Sequence, residues 1–217
     1  MNTPRIFGIF FILTFLSYGI GSGLSASIAS GPEGLLHVAH QSTELVVGVV
    51  LMAFFHSVLN IAMPLLLLPF LKDFGERRYF AYLAAAISAT ITLVVGAIFL
   101  LMLLPLSEVY QNATISEQAS LNTLSVVLQK GAFYAYQLGM AFWGIGGLFL
   151  CNLLCKSAVV PRFFAIWGSI GYVVFISGTL LELFGVPYGV MMSAPGGLFE
   201  IFLAFWAIVK GFKTDNA

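Results

Sequence analysis

Long apolar runs alternate with short polar breaks along the whole chain. Six runs read as helical spans, at about 6–28, 44–71, 79–104, 132–155, 163–184 and 197–212. Their lengths approach or exceed the roughly 20 apolar residues needed to cross a bilayer core of about 30 Å. The breaks are of two kinds. "KDFGERR" (72–78), "KSAVVPR" (156–162) and "KGFKTDNA" (210–217) are short and basic. "ASGPEGLLHVAHQSTE" (29–44), "LSEVYQNATISEQAS" (106–120) and "VPYGVMMSAPG" (186–196) contain no Lys or Arg. The pattern therefore predicts an all-α, polytopic membrane helix bundle: one six-span domain over residues 1–217, arranged as three helical hairpins.

Charge orients the bundle. Eight of the nine basic residues (Arg5, Lys72, Arg77, Arg78, Lys156, Arg162, Lys210 and Lys213) fall on one side of this scheme, and only Lys130 falls on the other. The positive-inside rule puts the basic side, and with an even number of spans both termini, in the cytoplasm. A rival reading takes the first span and "GLSASIAS" as a cleaved signal peptide. It would leave five spans without moving the C-terminus.

Composition adds one constraint. Sixty per cent of the residues are hydrophobic and 8% charged, with mean hydropathy +1.01. A soluble domain carries about a quarter charged residues, so this chain cannot face water all round and has the lipid bilayer as its partner. The net charge of zero points to no nucleic acid or acidic substrate.

Finer patterns follow. "PRIFGIF", "RRYFAYL" and "PRFFAIW" each open an outward-going span, an echo consistent with a repeated hairpin. Thr114 and Glu117 have capping-box spacing. Leu121, Leu124, Val127 and Leu128 then form an apolar stripe, predicting a helix along the membrane surface that leads into the fourth span. Gly19 and Gly23 have the small-xxx-small spacing that lets helices approach closely in lipid. Cys151 and Cys155, one helical turn apart in an apolar run, read as packing residues.

Five of the polar residues in the apolar spans can be compared by depth. Counted from the basic inner end of each span at about 1.5 Å per residue, Glu200, Tyr172 and Ser88 lie about 15 Å deep, Asn60 about 18 Å and His56 about 24 Å. These depths group Glu200, Asn60, Tyr172 and Ser88 in one layer, with His56 above it on the Asn60 face. A carboxylate near the bilayer midplane costs at least about 2.5–3.5 kcal/mol. Glu200 must therefore face the bundle interior, and no Lys or Arg at that depth can neutralise it. It is expected to be protonated unless His56 pairs with it. A site that binds a proton or small solute, and a hydrogen-bonding clasp between helices, both satisfy these constraints.

A second set lies between the first two spans. Glu33, His37, His40 and Glu44 recur at i, i+4, i+7 and i+11, one helical face. His37, His40 and Glu44 could share a metal such as zinc; a solvated helix face is the plainer reading. No cofactor is implied: the chain has no Ser-His-Asp arrangement, no phosphate-cradling glycine loop, no dinucleotide fingerprint and no second deep histidine to complete a haem site.

"GAFYAYQLGMAFWGIGGLFLCNLLCKSAVVPRFFAIWGSIGYVV" (131–174) and "SAPGGLFEIFLAFWAIVKGF" (193–212) carry a resemblance. With "LCKSAVVPRFFAIWG", and with Pro195, Glu200, Trp206 and Lys210 to Phe212, the chain resembles the bacterial integral membrane family catalogued as domain of unknown function 4386. That resemblance implies six spans in the bacterial cytoplasmic (inner) membrane and argues against signal cleavage. It implies no activity, and the His37/His40 pair is not part of the pattern. The leading functional expectation is non-enzymatic binding or transport of a small solute or proton through the mid-membrane polar layer. An accessory or structural subunit, and an intramembrane metal-dependent hydrolase, are the alternatives. An oligomeric partner is not legible.

Overall fold

The computed structural model describes residues 2–31 and 33–213, so the final four residues of the last basic stretch lie outside it. The described chain is helical with no strand. In order, the helices are α1 (Thr3–Ala29), α2 (Leu35–His40), α3 (Ser42–Val49), α4 (His56–Leu71), α5 (Glu76–Leu101), α6 (Leu103–Gln111), α7 (Ile115–Ser157), α8 (Arg162–Leu183) and α9 (Gly189–Val209). A π-helical segment, Val50–Phe55, joins α3 to α4, and a 3-10 turn, Lys72–Phe74, follows α4. Among the described residues six stretches are long and apolar enough to cross a membrane: Thr3–Ala29, Ser42–Phe74, Glu76–Gln111, Ile115–Ser157, Arg162–Leu183 and Met191–Val209. The protein is a multi-pass helical membrane protein.

Two of these stretches depart from the sequence expectation. The stripe at Leu121–Leu128 does not form a separate surface helix. It belongs to α7, one helix of 43 residues, about 65 Å long and so longer than the roughly 40–45 Å of a whole bilayer. "QKGAF" (129–133) holds no proline to stop it, and Gly131 is filled by the Phe99 ring, which a Cβ there would meet at 3.1 Å. At the start of α7 the Thr114 amide and hydroxyl both donate to Glu117 Oε2, at 2.8 and 2.7 Å.

The last helix also begins earlier than expected, at Gly189 rather than near residue 197, and carries Pro195 inside it. Glu182 explains the early start. After α8, Gly185 takes the left-handed conformation (φ +82°) that glycine tolerates at a helix end. The chain then reverses, and Glu182 Oε1 accepts the Gly189 amide at 2.9 Å. A carboxylate on the first free N–H of a helix complements both its unpaired donors and its dipole.

The contacts divide into two compact units, and α1, α4, α5 and α7 each contribute to both. The first comprises Met1–Thr14, Val58–Ile91 and Gln137–Ala217. Its core joins Phe7 and Phe11 to Met63, Leu67, Tyr79, Tyr82, Cys151, Leu154, Phe164, Phe199 and Leu203. Tyr79 ties α5 to α4 by donating to the Pro64 carbonyl at 2.7 Å. The echoed "RxF" openings are unequal: Phe7 and Phe164 are buried, whereas Phe80 is exposed and Tyr79 takes the inward position.

The second unit comprises Phe15–Ser57 and Thr92–Tyr136. Ile28, Leu35, Val38, Leu45, Val49, Leu103, Leu106 and Leu128 form its core. Here the Gly19/Gly23 expectation is corrected. A Cβ at either position meets nothing within 4 Å. The close crossing uses Gly21 and Gly48 instead: a Cβ at Gly21 would lie 2.5 Å from the Gly48 carbonyl oxygen, and one at Gly48 would lie 2.5 Å from Ser25 Oγ. The small residues at 19, 21, 23 and 25 are two interleaved i, i+4 pairs, and spacing cannot say which pair faces a partner. Gly21→Ala is therefore expected to lose about 1–3 kcal/mol of stability through overpacking. Gly19→Ala should not destabilise, and thermal unfolding in mild detergent compares the two. Equal melting temperatures would contradict the crossing described.

Candidate functional site

Glu200 lies on α9, 5% exposed, among residues as apolar as Phe199 and Leu203. Two donors from two other helices converge on it. Tyr172 on α8 donates its hydroxyl to Oε1 at 2.6 Å, and Trp143 on α7 donates its indole N–H to the same oxygen at 2.7 Å. Both bonds use Oε1, whose two acceptor sites they fill. Neither uses Oε2.

Glycines make this convergence possible. A Cβ at Gly147 would sit 2.2 Å from the Tyr172 ring, so α7 leaves the space that the ring occupies. A Cβ at Gly168 would meet Cys151 Sγ at 2.5 Å and the Phe199 ring at 2.7 Å. At Gly171 it would meet the Gly196 backbone at 3.0 Å, which brings α8 and α9 together one helical turn from Glu200. The aromatic rings then hold one another: Tyr172 lies edge-on to Phe199 with centroids 5.7 Å apart, and Trp143 lies edge-on to Phe11 at 6.3 Å. Cys151 is buried in this packing, while Cys155, one turn on, is exposed; both are free thiols.

The other expected members of the layer are placed differently. Asn60, 1% exposed, donates to Thr90 Oγ1 at 2.9 Å, a polar link between α4 and α5 within the first unit. Ser88 is half-buried on α5, two residues before Thr90. His56 belongs to the second unit and packs edge-on against Tyr18 at 5.0 Å, and Tyr18 in turn stacks on Tyr136 at 5.8 Å. The π-helical turn leads directly into His56, whose backbone N–H reaches back to Leu51 and Ala53. Trp143, Thr90 and the Tyr18/Tyr136 pair were not anticipated. Trp143 had a readable signal: it is an indole donor thirteen residues from Lys156, about 20 Å by the same depth count.

The histidines between the first two spans do not share one helix. Gln41 (φ −118°, ψ 35°) separates α2 from α3, so Glu33, His37, His40 and Glu44 fall on a turn and two short helices. His40 Nδ1 lies 3.6 Å from Glu33 Oε2 with both side chains largely exposed, a geometry worth little in water. The His37 ring fills the space beside Gly31, where a Cβ would meet it at 2.1 Å. Among the described residues no group of three or more His, Cys, Asp or Glu side chains is placed to hold a metal ion. Elemental analysis of the purified protein is expected to show no stoichiometric zinc. About one zinc per chain, lost on replacing His37 and His40 together by alanine, would reverse that expectation.

The family model described as Domain of unknown function (DUF4386) matches residues 6–211. The chain belongs to this family. No curated protein and no solved structure matches it. In this DUF4386 chain the matched stretch includes every residue of the Glu200 cluster. The family description assigns no chemistry to that cluster, so its function rests on the geometry itself.

Proposed function

We propose that this DUF4386 protein is a non-enzymatic protein of the bacterial cytoplasmic membrane that binds a proton, or the donor group of a small solute, at Glu200. The observation that carries the reading is the one-sided bonding of the carboxyl group. Tyr172 and Trp143 fix Oε1 and thereby the orientation of the side chain, while Oε2 is left to carry an exchangeable proton or to accept from a solute. A purely structural link between helices gains most when both oxygens are engaged.

Infrared difference spectroscopy of the protein in liposomes, between acid and alkaline pH, tests this. A carboxyl band that changes in the wild type and is missing in Glu200→Gln supports the reading. A carboxyl group that never exchanges would assign Glu200 to a clasp, with the protein an accessory or structural membrane subunit. The three-helix convergence on Oε1 is the feature that favours that second reading.

Orientation is part of the same proposal. The eight basic residues of the charge-rich side all belong to the first unit, and Lys130 is the one Lys or Arg of the second. The positive-inside rule then puts the loops at 72–78 and 156–162, and both termini, in the cytoplasm. Cysteines introduced in either loop, in a background lacking the exposed Cys155, are expected to resist a membrane-impermeant reagent added to intact cells. Labelling of either from outside would invert or abolish the scheme.

A further inference from the structure

The second unit contains a cavity of about 450 Å³, within the roughly 300–1,000 Å³ range of small-ligand sites. It is a slot open along its α1 side, where Gly23, Ala26 and Ser30 are exposed. Its first wall uses Tyr18, Ser22, Gly23, Ala26 and Ala29 of α1 and Ser30 just after it, a single helical face about 18 Å long. α5 supplies Leu93, Gly96 and Leu100, α7 supplies Gln129, Ala132, Phe133 and Tyr136, and Met52 completes the lining. Tyr18 and Tyr136 stack on each other at 5.8 Å where the α1 face begins, and Ser30 is the last residue of that face. The rest of the lining mixes small residues such as Gly23, Ala26, Gly96 and Ala132 with Ser22, Met52 and Phe133, and no charged residue lines any part of it. The one Lys or Arg of this unit is Lys130, which follows Gln129 on α7 and has Nζ 5.3 Å from the centroid of the Phe133 ring, itself part of the wall.

We infer that this slot binds a long-chain fatty acid, with the alkyl chain lying along α1 and the carboxylate at Lys130. Shape and chemistry each select for this ligand. A groove about 18 Å long on α1, lined mainly by apolar side chains, takes one unbranched chain along its length more readily than a compact polar solute. The uncharged lining requires any charge on the ligand to remain at the mouth. The single cation there favours an anionic head. The open wall is set by Gly23, where a Cβ meets nothing within 4 Å, so the space beside it is not filled by the protein's own side chains.

The same glycine supplies the test. Gly23→Leu adds a bulky side chain to a lining position where a Cβ meets nothing within 4 Å, and replaces a poor helix former by a good one. Ala26→Leu, one turn along, blocks the same wall and serves if the first variant folds poorly. Binding of hexadecanoate and hexadecanol is measured by native mass spectrometry on protein in phosphatidylcholine nanodiscs. The wild type is expected to bind hexadecanoate saturably, and either leucine variant to weaken it about tenfold or more, which corresponds to about 1.4 kcal/mol. Lys130→Gln should weaken hexadecanoate severalfold and leave hexadecanol unchanged. Equal binding of hexadecanoate by the wild type and both leucine variants would overturn the proposal. So would non-saturable binding, or a slot-dependent adduct that proves to be phospholipid.

Discussion

Glu200→Leu is expected to destabilise the protein severely, whereas Glu200→Gln at the same position leaves it nearly as stable as the wild type. Leucine removes the acceptor shared by Tyr172 and Trp143. Tyr172 is 1% exposed, and an unsatisfied buried donor costs about 1–3 kcal/mol. Trp143, half-buried on a different helix, loses its acceptor at the same time. Glutamine retains a carbonyl oxygen where Oε1 lies and can accept both bonds. The loss is then the difference between a carboxyl and an amide acceptor, of the order of the roughly 0.6 kcal/mol average for a hydrogen bond between helices in lipid. Thermal unfolding in mild detergent separates the variants, and in a background with Trp167 and Trp206 replaced by phenylalanine the fluorescence of Trp143 reports whether the indole still has its partner. If leucine and glutamine melt together, Oε1 is not what links α7, α8 and α9.

Gly147→Ala is expected to act on the same cluster from a distance, by moving Tyr172. The added methyl group would sit 2.2 Å from the ring carbons, a separation that packed atoms do not adopt, so the ring must shift or α7 must withdraw. Overpacking of this kind costs about 1–3 kcal/mol. It would also break the 2.6 Å bond to Glu200, because the hydroxyl moves with the ring. A double-mutant cycle with Tyr172→Phe checks the cause. If the glycine acts through the hydroxyl, the second substitution adds less in the alanine background than in the wild type. Strict additivity would show that Gly147 serves only backbone packing and that the Tyr172 bond survives beside it.

Much of the fold was legible in the residues because the bilayer makes severe demands. The six apolar runs and the alternation of basic and non-basic breaks had one economical solution, and the helices follow it. Glu200 was identified as inward-facing for the same reason: a carboxyl group among Leu, Ile and Phe has nowhere else to go in lipid. Tyr172 was chosen by depth, and the structure brings it onto Glu200. Depth alone did not sort the rest. Asn60 counts to nearly the same level, yet it bonds Thr90 on the neighbouring helix. Counting residues gives height along a span and says nothing about which way a side chain turns around it.

What the sequence determined by itself is thus the helical membrane architecture, the segregation of charge and the inward burden of one carboxyl group. Each depends on composition and on position along the chain, which lipid reads directly. The tertiary structure alone decided which small residues meet, with Gly21 and Gly48 in contact and Gly23 facing open space. It decided that Trp143, rather than a histidine or serine, would be the second donor to Glu200. It also decided where the chain would leave a slot unfilled. These outcomes depend on the rotation of each helix about its own axis, which packing between distant segments sets and which the spacing of small residues along a single helix leaves undetermined.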